Sequence, residues 1–303
     1  MESAAQAERS GTRHLLPKIV AGVLMLALAA IAGTWYFQVK VPHDEVVAAF
    51  EEAAQQYEGA VSELEARNAE LGVAISDLQK TIDSEQPPLN SKLLVKAGAT
   101  IGEVQGDIAT APPIPPMPES TEKIRHELDR LPALVTDVDA LGNYEEQISR
   151  LADSKAAIEA SIRQMQQITN PSEQFVIQRI GSLQGIAGVQ AVTEGNDPNG
   201  NLNKQGGYTA TVYFSSTLVN QASVFGRDIV DKGTEGGGAI EVYRNVKDAK
   251  ARNSYLASFD GGPISSGSHK VVGTVVVRTS DKLTASQQDA LENSLRKALI
   301  KLI

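Results

Sequence analysis

VAAFEEAAQQYEGAVSELEARNAELGVAISDLQKTI, residues 47–82, places an apolar or small residue at Val47, Phe50, Ala54, Tyr57, Val61, Leu64, Leu71, Ile75, Leu78 and Ile82, with Asn68 as the one polar step. The spacing alternates between three and four, which is the coiled-coil period rather than that of a merely amphipathic helix. With Val47 at a, the d positions hold Phe50, Tyr57, Leu64, Leu71 and Leu78, and Asn68 falls at a. An a-position Asn costs stability but fixes register, by pairing with another Asn across a two-chain seam. Gly59 and Gly72 each cost about 1 kcal/mol relative to Ala inside a helix. Glu51, Glu58 and Glu65 at e mostly lack basic g partners, so charge selects no partner. Residues 44–84 therefore read as one long coiled-coil helix, whose partner is either a second copy of the chain or another of its own segments.

Downstream, Pro87 and Pro88 end the helix, and Ala111-Pro-Pro-Ile-Pro-Pro-Met-Pro118 reads as a polyproline II spacer. The apolar segment 93–108 between them holds three glycines and no clean period, so 85–118 is assigned as a Pro-rich linker. Helical spacing resumes at Ile124, Leu128, Leu131, Val135 and Val138, with Pro132 expected to kink or restart it. After Gly142 it continues through Ile148, Leu151, Ile158, Ile162 and Met165, which makes 119–169 a second helical segment. Antiparallel packing of 44–84 on 120–168 would give a hairpin; a parallel homodimer through the heptad helix would give a stalk. The hairpin is preferred, because both stretches are of similar length and each has an apolar stripe to bury.

Upstream, residues 19–37, IVAGVLMLALAAIAGTWYF, carry no formal charge. As a helix they span about 28 Å, close to the roughly 30 Å hydrocarbon core of a bilayer. Arg9, Arg13 and Lys18 precede the stretch, whereas Lys40 and then Asp44, Glu45, Glu51 and Glu52 lie beyond it. That asymmetry puts a tail of residues 1–18 in the cytoplasm and the rest outside, with Trp35, Tyr36 and Phe37 at the interface. The competing readings are a signal peptide cleaved near Ala30-Ile31-Ala32 and a buried core helix.

Residues 170–303 change character. Asn170, Pro171 and Glu173 suggest a helix start, followed by strands near 189–193 and 208–214. In the latter, Tyr208, Ala210, Val212 and Phe214 alternate with Thr209, Thr211 and Tyr213, as in a half-buried strand. Leu218, Ala222, Phe225 and Ile229 predict a helix, 239–243 a strand, and Asn245 the cap of another helix. Val271–Val277 reads as one central strand, and Thr284 to Gln287 as a capping box for the last helix. The expected fold is α+β: a transmembrane helix, a long coiled-coil or hairpin region, and a two-layer α+β domain with a four-stranded sheet.

Three phrases, NDPNGNLNKQGGYTATVYFSS (196–216), GTEGGGAIEVYRNVKDAKARNSYLASFDGG (233–262) and SGSHKVVGTVVVRTS (266–280), followed by KLTASQQ (282–288), resemble an uncharacterised, EbhA-like family of Gram-positive envelope proteins. The likeness covers roughly 171–303. It implies a cell-envelope setting and brings no activity and no site residues.

The formal net charge of −9, without a basic cluster, argues against nucleic acid as a partner. The absence of cysteine excludes disulfides, thiolate metal sites and a cysteine nucleophile. The loop Asn196–Asn201 alternates oxygen side chains as cation loops do, but Leu202 stands where a turn glycine is needed, so it reads as a wide hairpin loop. The run Gly233–Gly238 precedes a strand, whereas phosphate cradles lead into a helix. Ser265, Ser266, Ser268 and His269 lie too close in sequence to make a nucleophile–base pair. Glu241 and Arg278 read as solvated edge residues. No catalytic, cofactor or metal site is assigned. The expectation is a non-enzymatic, membrane-anchored binding or structural protein facing outward, partnered by the bilayer and by an envelope protein or cell-wall component. The alternatives are a wall-acting enzyme or its accessory, and a sensor that signals through a partner.

Overall fold

A computed structural model describes residue 25, residues 28–262 and residues 267–302. Residues 19–24, 26 and 27 of the apolar stretch 19–37 lie outside the described residues, as do residues 1–18, expected to be a cytoplasmic tail, and Ser265 and Ser266. Among the described residues no helix is long and apolar enough to cross a membrane. The fold is α+β, with a long helix near the N-terminus and a five-stranded antiparallel sheet toward the C-terminus. Two compact units divide the chain: Met1–Val73 with Val104–Gln147, and Ala74–Glu103 with Ile148–Ile303.

The heptad stretch is helix α1, Val41–Ile82, 42 residues long. Its d residues Phe50, Tyr57, Leu64, Leu71 and Leu78 are all buried. The linker assignment for 85–118 is corrected, because Lys92–Gly106 forms a second helix, α2. Ala97, Ile101 and Val104 are buried on one face while Gly98, Gly102 and Gly106 lie exposed, so the glycines that blurred the period occupy the face that packs nothing. The proline-bearing segment after it is extended. Two further helices follow, α3 (Thr121–Asp139) and α4 (Glu145–Gln167). α3 continues through Pro132, with Ile124, Leu131 and Val138 buried on both sides of it.

In the first unit α1 is covered by its own chain, and the expected antiparallel hairpin is corrected. His43 Nδ1 meets Thr121 Oγ1 at 2.8 Å. Phe50 clusters with Ile124 and Leu131, and Tyr57 and Leu64 with Val138. Residue numbers rise together, so α3 runs parallel to α1. The extended segment makes the return: Ala109 lies against Asn68, the Tyr57 hydroxyl donates to the Pro112 carbonyl, and Ile114 packs beside both clusters. Asn68 needs no second Asn. Its Nδ2 donates to the Ala109 carbonyl (3.0 Å), and its Oδ1 accepts from the Tyr144 hydroxyl (2.7 Å), which itself accepts from the Ala109 N–H (2.8 Å). Buried polar groups are thereby satisfied within one chain.

Gly59 and Gly72 are exposed, and a Cβ at either would meet nothing within 4 Å. Gly59→Ala and Gly72→Ala are each expected to stabilise the helix by about 1 kcal/mol. A rise in the urea midpoint at unchanged m-value checks this; a fall would mean that the helix is not exposed there.

In the second unit α4 runs into the sheet core, so the boundary expected at residue 170 is corrected. Ile168 is fully buried among sheet residues, and Leu89 and Met165 pack on the same core. Ser172, not Asn170, caps the next helix, α5 (Glu173–Ile180), by accepting from the Phe175 N–H. The strands are β1 (Ile186–Ala191), β2 (Tyr208–Ser216), β3 (Gly237–Tyr243), β4 (His269–Val272) and β5 (Val275–Thr279), in the order β1-β2-β3-β5-β4. The helices α6 (Val246–Ala257) and α7 (Ala285–Ile300) complete the unit, each with the side-chain cap expected at Asn245 and Thr284.

The four-stranded sheet is corrected to five because Val271–Val277 is a hairpin. Gly273 has φ +61°, and a Cβ there would lie 2.4 Å from Ile168 Cγ2. Positive φ suits a two-residue hairpin loop, and the Thr274 hydroxyl anchors it by donating to the Ile168 carbonyl at 2.9 Å. The two-layer expectation is corrected as well. α5 and α7 cover the face of Val212, Phe214, Ile240, Val242, Val275 and Val277, whereas Ala249 and Leu256 of α6 pack with Tyr208, Tyr243 and Val276 on the other. A register shift between Tyr208 and Ala210 explains why Tyr208 faces opposite to Val212 and Phe214, and β2 is buried on both sides rather than half-buried. The helix expected from Leu218 to Ile229 is absent. Only a 3-10 turn, Gln221–Ser223, forms there, and Phe225 stands 98% exposed.

Candidate functional site

Alternation along β3 sends Ile240 and Val242 into one core and Ala239, Glu241 and Tyr243 to the opposite face, where Ala239 meets Val192 and Val230 and Tyr243 meets α6. Glu241 is completely buried, and the expectation of a solvated edge residue is corrected. A carboxylate there must be paired and hydrogen-bonded. Arg252 of α6 grips it side-on, with Nε donating to Oε2 (2.9 Å) and Nη2 to Oε1 (2.9 Å). Arg278 of β5, itself buried rather than solvated, donates from Nη1 to Oε1 (2.8 Å). The Tyr243 hydroxyl donates to Oε2 (2.9 Å). Burial alone would push the Glu241 carboxyl up, but the two guanidiniums outweigh it and hold the group below the usual carboxylate range. Burial, with Glu241 nearby, drives the Tyr243 hydroxyl up, so it stays a neutral donor. The hub ties α6 to the central strand β3 and its neighbour β5.

The loop Asn196–Asn201 closes one end of the same sheet face. Asp197 Oδ2 accepts from the N–H groups of Asn201 (2.6 Å) and Leu202 (2.8 Å), while Oδ1 accepts from the Asn199 N–H (3.0 Å) and the Tyr208 hydroxyl. Burial raises its carboxyl, but these donors outweigh that and lower it. The side-chain oxygens of Asp197 and Asn196 thus brace the loop from within, Asn196 Oδ1 accepting from the Thr193 N–H at 2.6 Å. Among the described residues no group of three or more His, Asp or Glu is placed to hold a metal ion. Asp197→Asn is expected to loosen this loop by about 1 kcal/mol, through mismatched, half-buried donors. Faster amide exchange at Asn201 and Leu202, with β3 unaffected, checks it.

A polar cleft of about 630 Å³ opens at the β4 edge, lined by Asp260, Ser268, His269, Lys270, Asp281 and Glu292 among others. His269 Nδ1 meets Asn253 Oδ1 at 2.9 Å, and Nε2 meets the Asp260 carboxylate at 3.2 Å. Ser268 Oγ pairs with Thr279 Oγ1 (2.7 Å) and donates to Glu292 Oε2 (3.1 Å), rather than facing the imidazole. Lys270 salt-bridges Glu292 at 2.8 Å, and this contact raises the ammonium above its ordinary value. Strand alternation explains the split: His269 lies on the α6 side of the sheet, Ser268 and Lys270 on the α7 side.

The glycines 233–238 form a 3-10 turn and the start of β3. A Cβ at Gly238 would lie 2.2 Å from the Arg278 carbonyl and 2.4 Å from the Phe214 ring. Close packing, not phosphate binding, accounts for them.

Reading the sequence missed the Glu241–Arg252–Arg278 hub. The signal was present: Glu241 sits between Ala239 and Tyr243 in a strand apolar on both faces, where a charge has to be buried and compensated. No family model, curated protein or solved structure matches this chain.

Proposed function

We propose that the chain is a non-enzymatic binding or organising protein of the cell envelope, anchored through the apolar stretch 19–37 with its folded part outside. The anchor and its direction rest on that uncharged stretch and on Arg9, Arg13 and Lys18 before it. The likeness of 171–303 to EbhA-like envelope proteins agrees with that setting. The observation that carries the non-enzymatic reading is how the reactive side chains are used. Glu241 takes four donors, both His269 nitrogens are held, and Ser268 is shared between Thr279 and Glu292. Each is committed to holding elements together, and Ser268 does not meet the His269 imidazole, whereas a nucleophile and its base must share a hydrogen bond. The enzyme alternative draws on the open cleft at β4, where acids and Lys270 face solvent.

Protease shaving of wall-stripped cells, combined with cross-linking and mass spectrometry, tests the proposal. The folded part is expected to be digested from outside and to cross-link to envelope components. Digestion only after lysis would overturn the placement. Hydrolysis of wall polymer that is lost on Glu292→Gln would overturn the non-enzymatic reading.

A further inference from the structure

We infer that the groove between α1 and the extended segment 108–114 is a docking site for a basic amphipathic helix of a partner protein. This deepens the binding role proposed above. The groove encloses about 670 Å³. Its floor is apolar, with Val61, Ala111 and Ile114 half-buried and Ile108 left 41% exposed. Apolar side chains left open in a groove are what helix-in-groove recognition uses, by receiving anchors spaced one turn apart on the incoming helix.

The rim selects the occupant. Glu58, Ser62 and Glu65 border the groove, one turn apart along α1, and are exposed. Among the described residues neither glutamate is ion-paired, as is true of Glu51, Glu52, Glu63 and Glu70 on the same helix; what sets Glu58 and Glu65 apart is that they border the apolar floor. Residues 51–70 hold six glutamates against the single Arg67. An apolar floor beside an uncompensated acidic rim is complementary to leucine-type anchors flanked by Lys or Arg. A second copy of this helix is the wrong occupant, because it would bring the same glutamates against these and like charges repel.

The experiment uses the full chain in zwitterionic nanodiscs, with empty discs as background. Fluorescence anisotropy follows a labelled 18-residue Leu/Lys amphipathic helix and its Leu/Glu counterpart. The Leu/Lys peptide is expected to bind at micromolar concentration and the Leu/Glu peptide at least tenfold more weakly. The double change Glu58→Lys with Glu65→Lys should weaken the Leu/Lys peptide at least tenfold. Glu63→Lys with Glu70→Lys, on exposed positions away from the groove, should change it less than twofold. Equal loss in both pairs would reduce the effect to bulk charge and overturn the site. So would failure of the Leu/Lys peptide to bind, or a Ser62→Cys variant that oxidises to a disulfide-linked dimer. Protease shaving is independent of this readout, so misplacement of the anchor would leave the groove result standing.

Discussion

Replacing Glu241 with alanine is expected to cost about 3–5 kcal/mol of folding free energy, because it strands buried charge. The Arg252 and Arg278 side chains are only 13% and 7% exposed, and both lose the carboxylate that they share. The Tyr243 hydroxyl loses its acceptor as well. Glu241→Gln keeps the volume but turns an amide N–H₂ toward guanidinium donors, so it should fall between wild type and alanine. The combined change Glu241→Leu, Arg252→Met and Arg278→Met removes all three charges, and should recover most of the loss. Acidity supplies a second readout. The folded Glu241 carboxyl lies below its unfolded value, so its contribution is complete above that unfolded value, about 4.3, and fades as pH falls through the folded one. Urea unfolding from pH 7 to pH 2 should therefore show the gap between wild type and Glu241→Ala closing at the acid end. A loss under 1 kcal/mol at pH 7 would mean that the hub is solvated and the argument is wrong.

What was legible in the sequence follows from which patterns carry their own partner. The heptad stripe gave α1 and its buried d face, because burying Phe50, Tyr57 and Leu64 makes the same demand whatever covers them. It could not give the direction of the covering helix. A period of 3.5 is the same for parallel and antiparallel packing, and the direction follows from the extended return of residues 109–114 along α1. Caps at Asn245 and Thr284 were readable because they act over three residues. The false helix at 218–229 shows the limit of spacing alone. Gln221 is drawn to the carbonyls of Ser216 and Gly236, and Gly226 adopts φ +140°, so the backbone leaves the helical path despite four well-spaced apolar residues. The fifth strand was hidden because five valines flank Gly273-Thr274. Only the contact between Gly273 and Ile168, distant in sequence, reveals the turn. The ionic hub was missed for the same reason, since its members lie on β3, α6 and β5.

Leu131→Ala should destabilise the first unit by about 2–5 kcal/mol, and its midpoint should not move with protein concentration. Leu131 is completely buried and packs with Phe50 and Ile124, so truncation leaves a cavity that flanking side chains fill only in part. Leu64→Ala on α1 should match it, since Leu64 meets Val138 on the same side of the helix. The concentration test separates two ways of covering one stripe. In a two-chain coiled coil every d residue stabilises the dimer, and the midpoint rises with concentration by mass action. Here α3 and the extended segment already occupy the d face, and Asn68 completes its hydrogen bonds on Ala109 and Tyr144. Asn68→Leu should accordingly cost about 1–3 kcal/mol, whereas in a dimeric seam an apolar residue at a would tighten association. Thermal melts of the three variants across a hundredfold range of concentration decide the matter. A midpoint that climbs with concentration, or a stabilised Asn68→Leu, would return α1 to a seam between two chains and leave α3 without the role assigned to it.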